Sequence, residues 1–333
     1  MASKKNKGLV VFIIIAILTL GYGILELTAP QLFETGGQVT VNSLHGSQGN
    51  FSFKSPGKPY IARLDIKGTI QSANMNYNQA WLLKTIKCLK EDKANKGLIL
   101  FIDSPGGTVY EADEAYLALL DYKKSGKPVY AYFGSMAASG GYYIGCAADR
   151  IYANRNTITG SIGVVSGSTI DATALLDYIG IKATTIHAGK NKNMGNYNEP
   201  LTAEQEKVLQ DMADECYEQF TGIVSESRHM SKTSVYKLAD GRIYTANQAL
   251  KNGLIDKVST LDECYNDLVQ NKLANVNYPV TTYSYVKEKS FADYFIKAVK
   301  NYSNEEVNTF PIEFIVSRLI SYTLVYRFRE VIR

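Results

Sequence analysis

A serine set among small residues at the end of an apolar run is the first place where this chain could do chemistry. The stretch Gly134-Ser135-Met136-Ala137-Ala138-Ser139-Gly140-Gly141-Tyr142-Tyr143 follows directly on Pro128-Val129-Tyr130-Ala131-Tyr132-Phe133. A serine where a strand hands over to a helix holds its hydroxyl at the mouth of a sheet. Free backbone N–H groups and the positive end of the helix dipole lie beside it. Small neighbours let a peptide backbone come close. The same composition also serves plain tight helix–sheet packing, so the reading depends on what surrounds it.

Upstream, the apolar run Gly97-Leu98-Ile99-Leu100-Phe101-Ile102 ends in Asp103-Ser104-Pro105-Gly106-Gly107-Thr108. Paired glycines after a buried strand can aim backbone N–H groups at one point, as an oxyanion hole requires. They can also merely supply φ > 0 for a turn. Downstream come Thr159-Gly160-Ser161-Ile162-Gly163-Val164-Val165 and Ala188-Gly189-Lys190-Asn191-Lys192-Asn193-Met194-Gly195. Strand and glycine-turn units at this rhythm gather loops at one edge of a sheet.

The elements that must position these residues alternate along the chain. Strands are expected over 60–66, 97–102, 128–133, 150–153 and 180–187, and helices over 78–92, 109–124, 140–148, 202–228 and 246–252. The last helix opens with Thr245-Ala246-Asn247-Gln248, a capping sequence. Such alternation implies an α/β fold with a mainly parallel sheet.

Together these blocks resemble the signal peptide peptidases of the short, membrane-anchored bacterial type. Those are serine–lysine peptidases with a Clp protease/crotonase-like fold, a parallel-sheet core with flanking helices. The resemblance is carried by Asp103–Gly107, Ser135–Tyr143, Cys146–Asp149, Ile151–Asn154, Thr157–Val164, Gly241–Thr245 and Ala249–Asp256, in order between about residues 60 and 270. It implies Ser139 as nucleophile and Lys192, three residues after Gly189, as general base, with Lys190 the nearby competitor. It implies that Ser161 hydrogen-bonds the lysine. It also implies an oxyanion hole formed by the Ser139 N–H and a backbone N–H of Gly106 or Gly107. Each block occurs once, so no second repeat in the chain can complete the dyad, and the resemblance to the short members implies a homo-oligomeric ring whose neighbouring subunits share it.

The chemistry is consistent without histidine. The chain has only His45, His187 and His229, and no Gly-x-Ser-x-Gly elbow. His187 lies nearest in sequence to Lys192 and reads as a polar residue at a strand end. A lysine acts as base only when neutral, which requires burial against the charged form. It then takes the serine proton and returns it to the leaving amine. The resemblance implies no metal and no cofactor.

The N-terminus indicates where the chemistry happens. Lys4, Lys5 and Lys7 precede a stretch from Gly8 to Leu25 without a charged residue. That is about enough to cross roughly 30 Å of hydrocarbon at about 1.5 Å per residue. Basic residues before the span predict a cytoplasmic N-terminus and an extracytoplasmic catalytic domain at the cell membrane. A cleaved signal peptide has the same charge order, but the stretch is long for one and no Ala-x-Ala site follows.

The expected organisation is a cytoplasmic segment 1–7, a transmembrane anchor 8–27, a glycine-rich linker 28–58, a peptidase domain 59–275 and an extension 276–333. In that extension Arg318, Arg327, Arg329 and Arg333 interleave with apolar residues. Such a tail suits a membrane surface, a neighbouring subunit or the chain's own core. The net charge of +4 over 333 residues gives no signal for nucleic acid. Of the four cysteines, Cys146 reads as a buried free thiol, while Cys88, Cys216 and Cys264 are left open.

The expected function is a membrane-anchored endopeptidase degrading signal peptides and other apolar peptides left in the bilayer. The alternatives are a non-catalytic oligomeric scaffold and a related peptidase with one membrane-protein substrate. Intact Ser139, Lys192 and Ser161 argue against the scaffold.

Overall fold

The computed structural model describes residues 53–287. The expected anchor, most of the linker and the arginine-rich tail lie outside the described residues. The chain divides into two units, Met1–Thr40 and Val41–Arg333, and the described residues all belong to the second.

Three long parallel strands form the centre: β1 (Tyr60–Lys67), β2 (Asn95–Ser104) and β3 (Val129–Ala138). Between them run α1 (Gln79–Glu91) and α2 (Val109–Lys123). At one edge β8 (Val280–Tyr283) lies parallel to β1. At the other, β3 forks. Tyr130–Phe133 pair with β4 (Arg150–Ala153), which carries β7 (Lys257–Val258). Met136–Ala138 pair with β5 (Ile158–Gly160), which carries β6 (Ile243–Thr245) as the one antiparallel neighbour among the described residues.

Alternation along the strands separates two apolar faces. Tyr60, Ala62, Leu64, Ile66, Leu98, Leu100, Ile102 and Phe133 face one core. There they meet the buried stripe Trp81, Leu82, Ile86 and Leu89 of α1, the inner residues of α2, and the short α3 (Gly140–Gly145). Ile61, Ile99, Tyr130, Tyr132 and Tyr152 face the other, covered by Cys264, Leu268 and Val269 of α8 (Leu261–Lys272). Helix starts are fixed by side chains: Asn78 Oδ1 accepts from Trp81 N at 2.9 Å, Ser231 Oγ accepts from Ser234 N at 3.2 Å at the head of α6 (Lys232–Tyr236), and capping boxes open α5 (Ala203–Ser227), α7 (Ala246–Lys251) and α8.

The fold is α/β with a mostly parallel sheet, as the alternation implied, but two features differ from expectation. Residues 180–187 form no strand. They follow the short α4 (Thr173–Tyr178), and Ile186 is 96% exposed; without a neighbouring strand to take up its amides an extended segment has no ladder. The sheet continues beyond residue 275, because β8 places Tyr283 in the core, stacked on Phe53 at 5.3 Å. Cys146 is a buried free thiol, as the sequence indicated, and Cys88, Cys216 and Cys264, which it left open, are free as well.

Candidate active site

Ser139 stands between the last residue of β3 and the first of α3, half-buried, with φ 52° and ψ −122°. This conformation is costly for any residue with a Cβ, and it is held from both sides. The Ser139 N–H donates to Gly160 O at 2.8 Å, and its carbonyl accepts from Tyr143 N at 2.9 Å. Just ahead of this pair, Thr159 Oγ1 donates to Ala137 O at 2.6 Å and locks β5 to β3.

The Asp103–Thr108 loop packs directly on this junction. A Cβ on Gly106, where φ is 102°, would lie 2.7 Å from both Gly140 N and Ser139 Cβ. A Cβ on Gly107 would lie 1.8 Å from Ile70 O. On Gly140 a Cβ would sit 3.3 Å from the Gly107 nitrogen and from Ala112 Cβ. The two glycine pairs are therefore face to face, and bare backbone is what lets them approach.

This packing corrects the expected oxyanion donors. The Ser139 N–H is consumed by Gly160, so it is not available to a substrate oxygen. Gly106 is buried and its N–H donates to Ser104 Oγ at 3.1 Å. Across this packing, the N–H groups of exposed Gly107 and of Gly140, the first residue of α3, both lack an acceptor among the described residues. The signal for Gly140 was present in the sequence, since the first amides of a helix have no partner within it.

Ser161 follows Gly160 directly and is therefore carried to the nucleophile by the β3–β5 pairing. It too has a positive φ, 51°, and its N–H donates to Arg242 O at 2.8 Å. Gly160 must be glycine, because at φ 82° an added Cβ would lie 2.5 Å from the Tyr244 ring. Beneath the site, burial pushes the Cys146 thiol up to about 12. It stays protonated at neutral pH and does not compete as a nucleophile.

The lysine loop is well built, and among the described residues no hydrogen bond joins it to Ser139. Lys192 is exposed, and its Nζ has no partner among the described residues. Its backbone N–H donates to Gly189 O at 3.1 Å. The buried Asn193 next to it bonds Glu199 and accepts from Asn196 Nδ2 at 2.8 Å. Asn198 Nδ2 reaches Thr185 Oγ1 at 3.2 Å. Lys190 is engaged by Glu204, and His187 Nδ1 lies 3.1 Å from Gly189 O of its own loop. Neither hydrogen-bonds Ser139. Among the described residues, no group of three His, Cys, Asp or Glu is placed to hold a metal ion.

Comparison with known proteins follows the same residues. The model of peptidase family S49 matches residues 121–277. A candidate signal peptide peptidase SppA of Enterococcus faecium is 36% identical over 219 residues, covering 64% of this chain and 63% of that protein. The chain thus spans under two thirds of that relative's length. A candidate protease of Synechocystis, slr0021, is 37% identical over 212 residues, 63% of this chain and 74% of that protein. Among solved structures, a mutant ClpP1 from Listeria monocytogenes overlaps 61% of this chain and 94% of that one, with 16% identity and a TM-score of 0.43. With the matched blocks spanning the serine, Ser161 and lysine segments, the chain belongs to peptidase family S49, a family of serine peptidases.

Proposed function

We propose that the protein is a membrane-anchored endopeptidase that hydrolyses apolar peptides, signal peptides left in the bilayer foremost, with Ser139 as nucleophile and Lys192 as base. The observation that carries this is the pair of unpartnered amides, Gly107 and Gly140, flanking a serine held in a strained backbone conformation. Ser139 Oγ attacks the scissile carbonyl carbon, and its proton passes to Lys192 Nζ. The carbonyl oxygen gains the negative charge and is met by the Gly107 and Gly140 N–H groups. Losing one such donor costs about 10²–10³ in kcat in a comparable site. As the C–N bond breaks, the lysine proton goes to the leaving amine; water then releases the acyl group by the same route in reverse. Ser161 supplies a hydroxyl beside the nucleophile to orient the lysine.

An exposed Lys192 suits a dyad shared between subunits, in which docking both delivers and buries the amine. The arm around it supports that reading. Val165, Ile170, Leu175, Tyr178 and Ile186 are each at least 61% exposed, far more apolar surface than a solvated arm requires. The charge-free stretch Gly8–Leu25 after three lysines supports a membrane anchor with the N-terminus in the cytoplasm.

The test is hydrolysis of a fluorogenic apolar peptide by the full chain in detergent. Ser139→Ala and Lys192→Ala should each lose activity by at least about 10³-fold, with Lys190→Ala and His187→Ala near wild type. Mixing the two dead variants should restore part of the activity if subunits share the dyad. Wild-type rates in Lys192→Ala would remove the lysine from its role. An inert wild type that still forms oligomers would favour the scaffold.

A further inference from the structure

The sheet does not run evenly into the nucleophile. Between β2 and β3 the register moves from Ile102↔Phe133 to Ser104↔Ala137, two steps on one strand against four on the other. Gly134, Ser135 and Met136 thus stand opposite Asp103 alone, two residues more than the β2 ladder takes, just before Ala137-Ala138-Ser139, while Met136 keeps its pairing with Ile158 of β5. A bulge takes amides out of the ladder and re-aims the strand beyond it. Here Thr157 Oγ1 donates to Gly134 O at 2.6 Å, and a carboxylate takes up donors of the bulge. Asp103 Oδ1 accepts from Ser135 Oγ at 2.5 Å and from Met136 N at 3.1 Å. Gly134 is pressed against the same residue: a Cβ there would lie 3.2 Å from Asp103 Cβ and 3.1 Å from Phe101 Cζ.

Asp103 also belongs to the opposite wall of the site. Its carbonyl accepts from Gly68 N at 3.0 Å, and its strand continues through Ser104 and Pro105 into Gly106 and Gly107. Ser104 Oγ donates to Gly68 O at 2.6 Å and accepts from Gly106 N. One residue thus joins the strand that ends in the nucleophile to the strand that ends in the oxyanion amide.

We infer that Asp103 is a positioning residue for catalysis: its carboxylate clamps the Gly134–Met136 bulge and so sets Ser139 against the Gly107 amide. This rests on the peptidase reading above. A clamp of this kind acts on the geometry of attack and leaves the substrate-binding surface alone, so it acts on kcat and spares KM. Misplacement of a reacting group by about 1 Å costs on the order of 10²-fold. Asparagine keeps an acceptor oxygen in the same place, glutamate moves it by one methylene, and alanine removes it.

The experiment uses the full chain in detergent with an apolar peptide substrate, reading kcat and KM separately, alongside the thermal midpoint of each variant. Asp103→Ala is expected to lower kcat by about 30- to 100-fold, with KM within about threefold. Asp103→Glu should lower kcat about tenfold, and Asp103→Asn should stay within about threefold of wild type. If Asp103→Ala does not fold, the Glu and Asn pair carries the test. Wild-type kcat in the folded Ala or Glu variant overturns the inference. So does an Asn variant as slow as Glu, which would assign the effect to charge. A wild type that hydrolyses nothing and equals Ser139→Ala would instead overturn the peptidase reading.

Discussion

Ser139 occupies φ 52°, ψ −122°, a region that costs a non-glycine residue about 1–3 kcal/mol. The cost is met by neighbours that leave the backbone no alternative: Gly160 holds the amide, Tyr143 the carbonyl, and Gly106 fills the space against the Cβ. Removing the Cβ should release that strain. Ser139→Gly is therefore expected to unfold in urea at higher stability than Ser139→Ala, by about 1 kcal/mol, although both lack the nucleophile. Equal stabilities, or the reverse order, would mean that the Ser139 backbone is not strained. The glycines around it were legible as motif residues, but their reasons differ. Gly106 needs a positive φ and close approach, whereas Gly107 needs only the absence of a Cβ against Ile70.

At the scale of elements, the nucleophile rests on a frame assembled from distant pieces of chain. Arg228, at the C-terminal end of α5, has a side chain only 8% exposed. Its Nη1 and Nη2 donate to the Asp256 carboxylate at 2.9 Å each, and its Nε donates to Gly253 O at 2.9 Å. Asp256 Oδ2 in turn accepts from Ile151 N at 2.6 Å at the head of β4. One ion pair thus ties α5, β4 and the turn before β7. Breaking a buried pair from one side strands the other charge. Arg228→Ala should lower unfolding stability by about 3 kcal/mol, the lower end for such pairs because Asp256 is a quarter exposed. A loss below about 1 kcal/mol in urea melts would show the pair to be a surface contact.

The long elements around this frame were legible, because apolar periodicity over eight or more residues is a strong signal. The stretches β5, β6 and β7, of three, three and two residues, carry no period to read. They exist because Ala138, Gly160 and Ala153 find partners already fixed by longer neighbours.

At the scale of the molecule, residues 161–201 are unlike the rest. The body buries its large apolar side chains on both sheet faces, while this arm leaves Val165, Ile170, Tyr178 and Ile186 in solvent. An arm of that kind contributes little to the stability of one chain and much to association. Ile186→Asp, at a position 96% exposed, should change the unfolding stability of the isolated chain by less than about 0.5 kcal/mol. It should nevertheless shift the sedimentation profile towards smaller species and lower peptidase activity in step. An unchanged profile would remove this arm from the subunit interface.

The parts of the site that are local in the chain could be read there. A serine between small residues, two adjacent glycines after a strand and a lysine in a glycine-bounded loop keep their character wherever the chain goes. The division of labour among the amides could not be read that way. Hydrogen-bond partners in a sheet come from segments remote in sequence, and register decides which N–H each carbonyl consumes. Register gave the Ser139 amide to Gly160, and the turn gave the Gly106 amide to Ser104. Gly107 and Gly140 were left free, and the β2–β3 slip handed the bulge to Asp103.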